Sequence, residues 1–131
     1  MRSNFDIPPE IIEAFEQDGQ YFGLIQLERD EKQKRFRFQV DRKEYLALRR
    51  VLQLRPFDQT PGLKYRYFFV SYAVSPSSKT DSVIMMTVRI EQGQDNKQLK
   101  SEAPRSLVAN LMWFRELKDW SHASYLEVFE K

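Results

Sequence analysis

The chain has 131 residues, 41% hydrophobic and 31% charged, with 4 Gly, 6 Pro and no Cys. This length suits a single domain over 1–131, and the composition excludes collagen-like, low-complexity and wholly disordered chains. The lack of cysteine excludes disulfides, thiolate-held zinc, iron–sulfur clusters and thiol catalysis.

No apolar run approaches the roughly 18 residues of a membrane span. The opening MRSNFDIPPE also lacks the apolar stretch of an export signal, so the expectation is a cytoplasmic domain with no membrane partner. The net charge of +2 conceals an asymmetry. Residues 1–31 hold 2 basic and 8 acidic side chains, residues 32–66 hold 11 and 3, and residues 67–131 hold 8 of each. A segment as basic as 32–66 is either the footprint of a polyanion or is cancelled by the acidic segment packed beside it.

In chain order, the first predicted element is a short helix. Pro8 and Pro9 suit a first helical turn, Ile11, Ile12, Ala14 and Phe15 form an apolar stripe, and Gly19 is a stop signal. A strand follows over 21–28, then a polar turn at 29–33. Strict alternation then predicts a second strand over 34–41, with Phe36, Phe38 and Val40 on one face and Arg35, Arg37 and Gln39 on the other. Asp41 with Glu44 three residues on reads as a capping box opening a helix to about Leu54. That helix would bury Tyr45, Leu48, Val51 and Leu52 and expose Lys43, Arg49, Arg50 and Arg55. Pro56 and the following FDQTPGLK end it in a loop.

The second half repeats this order. An aromatic strand is expected over 65–74, a turn at 75–81, a strand rich in Val, Ile and Met over 82–91, and a polar loop over 93–100. Pro104 then opens a helix through Trp120 built on Leu107, Val108, Leu111, Phe114 and Leu117. Residues 125–129 fit either a short strand or a tail. The expected order is α-β-β-α-β-β-α: an α+β two-layer sandwich with an antiparallel sheet of about four strands and helices on one face.

Enzyme motifs are almost absent. The lone His122 has neither Cys nor a second His with which to hold zinc, and no glycine-rich phosphate loop exists. The run from Glu28 to Glu31 lacks the alternating ligands and glycine of a calcium loop. A non-enzymatic protein with no cofactor and no metal is therefore expected. If Phe68, Val70, Tyr72 and Val74 face the helices, the open sheet face carries Tyr65, Tyr67 and Phe69 beside Arg35, Arg37 and Arg89. Both sets of that strand are apolar, so periodicity alone leaves its orientation open. Rings interleaved with guanidinium groups suit a homodimer or protein interface, and equally suit single-stranded nucleic acid bound with help from Arg49 and Arg50. The favoured expectation is a binding domain that self-associates through this aromatic face; the alternative is a nucleic-acid binder using 32–66, and the second alternative is an enzyme whose site carries no recognised motif.

Overall fold

The computed structural model describes residues 5–58, 64–74, 83–118 and 127–128. Strands β1 (Glu10–Gln17) and β2 (Gln20–Arg29) form a hairpin. Its two central residues, Asp18 and Gly19, both take positive φ, 53° and 78°, as in a type I′ turn. The β2 strand turns into β3 (Lys32–Val40) through Asp30 and Glu31, also both at positive φ. Helix α1 (Arg42–Leu52) follows, opened by the expected capping box. Asp41 accepts from the Glu44 amide at 2.8 Å, and the Asp41 amide donates to the Glu44 carboxylate at 2.8 Å.

The second half runs β4 (Arg66–Val74), β5 (Val83–Gln92), β6 (Asp95–Pro104) and α2 (Arg105–Arg115), and a two-residue strand β7 (Glu127–Val128) pairs with β3. The described architecture is thus a six-strand antiparallel open sheet, extended at one edge by β7, with two helices packed on it. Its order is β-β-β-α-β-β-β-α rather than α-β-β-α-β-β-α. The expected N-terminal helix is strand β1, and the expected polar loop at 93–100 is a tight turn leading into β6. The loop at 75–81, Trp120 and His122 lie outside the described residues; of 125–129, Glu127 and Val128 form the strand.

Sheet order β6-β5-β4-β1-β2-β3-β7 places the two βββα units side by side about a pseudo-two-fold axis between β1 and β4. There Glu10 faces Phe68 and Ile11 faces Tyr67, and the Phe69 amide adds a bond to the Pro9 carbonyl at 2.9 Å. Directly beyond this ladder each central strand bulges: β1 between Ile11 and Glu13, β4 between Phe69 and Ser71. An extra residue bends the strand and shifts its alternation by one. The β1 bulge turns both Ile11 and Ala14 inward, a three-residue spacing that imitates a helix. The β4 bulge explains its mixed pattern, with Tyr67 and Phe69 inward before it and Tyr72 and Val74 on that same face after it.

Both helices cover one face. On β2, Gly23 lies beneath α1 and beside Phe38, and Phe114 of α2 reaches Phe36 and Phe38 with ring centroids 6.2 and 5.5 Å away. The expected apolar residues Leu107, Val108, Leu111 and Phe114 of α2 are buried, as is Leu117, but the helix ends at Arg115 rather than running through Trp120, and Leu117 lies beyond it. Leu48 and Val51 of α1 are buried, while Tyr45 and Leu52 are half-buried. A Cβ at Gly23 would stand 2.8 Å from the Phe38 ring and 2.9 Å from Leu48, so this glycine sets how closely α1 settles on the sheet. Gly23→Ala should therefore cost about 1–3 kcal/mol through overpacking. Asp41→Ala should cost about 1 kcal/mol through loss of the cap. Urea unfolding midpoints check both.

Candidate functional site

The expected site residues fall into three places. Arg35, Arg37 and Arg89 lie on the open sheet face, as the alternation required. Tyr67 and Phe69 do not join them: they are 5% and 0% exposed, packed beneath the helices. Tyr65 lies with Tyr67, their ring centroids 6.3 Å apart. The placement of Tyr65, Tyr67 and Phe69 on the open face is thus corrected, and the β4 bulge is the reason. Arg49 and Arg50 are exposed on α1, as expected.

Arg66 and Phe68 occupy the open-face positions that those aromatics were expected to fill. No second layer covers this face among the described residues, yet Leu24 and Phe68 on it are 0% and 1% exposed. Arginine side chains do the covering. Those of Arg66 and Arg89 lie over the Phe68 ring, 4.9 and 4.4 Å from its centroid, and Arg37 lies 4.8 Å over Phe22, which stacks on Phe15. A guanidinium so placed is attracted to the ring face while its stem excludes water. Carboxylates and amides fix these cations: Arg66 donates to Glu10 at 2.7 Å, and Glu91 lies 3.7 Å from Arg66 and 3.9 Å from Arg89. Arg35 donates to Gln26 at 2.9 Å, and Arg37 to Gln17 at 2.9 Å. The hydrogen bond to Glu10 is the main cause that holds the Arg66 guanidinium above its ordinary pKa, against the opposing effect of burial.

Beside this face, the parting of β1 from β4 leaves a cleft of about 530 Å³. Arg35, Arg49, Tyr65 and Tyr67, four of the eight expected site residues, line it together with Glu10, Glu13, Leu52, Lys64 and Arg66. Its lining thus comes from both faces of the sheet. Two of its walls are structural. The Tyr67 hydroxyl donates to the Leu54 carbonyl at 2.9 Å and receives Arg55, and the Tyr65 hydroxyl donates to the Phe57 carbonyl at 3.1 Å. These bonds tie the segment after α1 to the start of β4. Burial is the first cause that pushes the Tyr67 phenol above its ordinary pKa, and the charge of Arg55 opposes it.

Among the described residues no group of three His, Cys, Asp or Glu side chains could hold a metal, and no helix is long and apolar enough to cross a membrane. No protein-family model, curated protein or solved structure matches the chain.

The contribution of Tyr67 carries a pH signature. Folding favours the protonated phenol, so its contribution is full below about pH 10 and is lost as pH rises towards the higher folded-state value. Tyr67→Phe should flatten the fall in stability above about pH 10. At neutral pH it should cost on the order of 1 kcal/mol through the lost bond to Leu54. Urea midpoints measured from neutral to strongly alkaline pH test both halves of this expectation.

Proposed function

We propose that the chain is a non-enzymatic interaction domain that self-associates through its open sheet face. The observation that carries this reading is the balance of charge across that face. By strand register it presents Arg35, Arg37, Arg66, Arg89 and Lys100 alongside Glu10, Glu13, Glu28, Glu91 and Glu102. A two-fold interface needs a self-complementary patch, and interspersed opposite charges supply one where a single-sign face would repel its copy. Arginines stacked on aromatic rings are also the side chains that dominate interface energetics. The ring nearest a partner at this interface would be the half-buried Phe22 beneath Arg37, in place of Tyr65, Tyr67 and Phe69.

The nucleic-acid reading finds its support elsewhere, on the solvent side of α1. Arg42, Lys43, Arg49 and Arg50 are exposed there, and none forms an ion pair among the described residues. Among the described residues, Glu10 of the acidic segment pairs with Arg66 of the basic one, and no carboxylate of that segment reaches these four cations.

Sedimentation equilibrium separates the readings. Self-association through the sheet should give a dimer at micromolar concentration, burying more than about 1,000 Å² in total. Arg37→Glu should weaken it by at least about tenfold, and Arg42→Glu should leave it unchanged. A strictly monomeric protein at high concentration refutes the proposal. For the second reading, affinity for a labelled oligonucleotide should fall with salt at a slope near −0.7 per phosphate contact. Replacing Arg42, Lys43 and Arg50 by Gln should flatten that slope, and absence of binding at low salt discards it.

A further inference from the structure

We infer that the cleft between β1 and β4 is a binding site for a small organic anion, one that carries an acidic head group on a flat apolar body. Beyond the β1–β4 ladder each strand bulges, and at the β4 bulge Arg115 from the end of α2 donates to the carbonyl of Val70, the bulged residue itself. At the β1 bulge lies the cleft of about 530 Å³, a volume within the range that holds small-molecule ligands.

Cations from three separate elements converge on it: Arg35 from β3, Arg49 from α1, and Lys64 just before β4. None of the three meets a carboxylate among the described residues. The Arg35 hydrogen bond goes to the neutral Gln26 amide, Arg49 lies 5.9 Å over the Tyr45 ring, and Lys64 is exposed. Of the two carboxylates on the lining, Glu10 is paired with Arg66 at 2.7 Å. Arg35, Arg49 and Lys64 then face Glu13 alone, so the cleft keeps an excess of positive charge. Ile12, Leu52 and Tyr65 supply the apolar part of the wall. Guanidinium and ammonium groups suit a phosphate or a carboxylate head, and the apolar wall suits a ring beside it.

The test uses the full chain and three probes followed by calorimetry at low salt: adenosine monophosphate, 2-naphthoate and inorganic pyrophosphate. Saturable binding of adenosine monophosphate assigns a phosphate head, and binding of 2-naphthoate assigns a carboxylate head. Either supports the site if Arg49→Gln and Lys64→Gln each weaken it by about tenfold while Lys100→Gln, on the distant edge strand, leaves it unchanged. Arg49 and Lys64 are both exposed, so neither change should threaten the fold. Pyrophosphate should bind about tenfold more weakly than the better ring-bearing probe. Equal affinity would remove the apolar wall from the site and overturn the inference as stated. So would the absence of saturable binding by all three probes at millimolar concentration, or binding that ignores Arg49→Gln and Lys64→Gln. Sedimentation of the same variants keeps this result separate from self-association, because Arg49 lies on α1 and Lys64 precedes the first paired residue of β4.

Discussion

The two halves of the sheet meet where Glu10 and Ile11 face Phe68 and Tyr67, and a bulge on each strand ends the contact directly afterwards. So short a ladder contributes few backbone hydrogen bonds, and the side chains around it must carry the joint. On the helix side, Ile11 and Tyr67 are buried beneath α1, and the Tyr67 hydroxyl holds the chain that leads into β4. On the open side, Glu10 is buried and bonded to Arg66. Removing Arg66 would leave the buried Glu10 carboxylate poorly solvated at the centre of the sheet, which is costlier than the pair is stabilising. The cleft at the β1 bulge and the shifted alternation of β4 lie directly beside this junction.

An open sheet face ordinarily presents either polar side chains to water or apolar ones to a partner layer. Here the two are combined. Leu24 and Phe68 are as buried as residues of the main core, but arginine stems and guanidinium planes exclude the water. The face therefore presents no broad apolar patch, and what it offers to another molecule is a fixed pattern of charge. Exposed large apolar side chains among the described residues are found instead at Leu46 on α1 and at Tyr72 and Val74 near the end of β4.

Sequence periodicity was informative where the elements were regular. The strict alternation in β3, the capping box of α1 and the apolar spacing of α2 read directly, because each reports one local rule with no competing signal. β1 misread because its bulge turns Ile11 and Ala14 to the same side, and Ile12 beside them completes a false helical stripe. The Asp18–Gly19 pair was the signal against a helix, since that dipeptide favours the positive φ values of a tight hairpin. β6 misread for a different reason: it is an edge strand whose first seven residues include one large apolar side chain, Leu99, so it carries almost no hydrophobic period. The site was partly legible. Arg35, Arg37 and Arg89 are where alternation places them, but Arg66 and Phe68 were hidden by the β4 bulge, and Lys64 by its position in a loop.

The packing of α2 against β3 has a consequence for how the chain reaches its native state. Phe36 and Phe38 are apolar surface on the first three-strand meander, and the ring that covers them, Phe114, is translated only after β4, β5 and β6. Helix α1 can settle early over β1 and β2, but the Phe36 and Phe38 side of the meander must wait for α2, with an unpaired edge at β1 until β4 arrives. Pairings this distant in sequence make for slow folding, on the order of milliseconds to seconds for small β-rich domains. The acidic and lysine-bearing turns Asp18–Gly19 and Asp30–Glu31–Lys32 sit at the two ends of that waiting meander, where charge opposes the strand-to-strand association that an incomplete sheet invites.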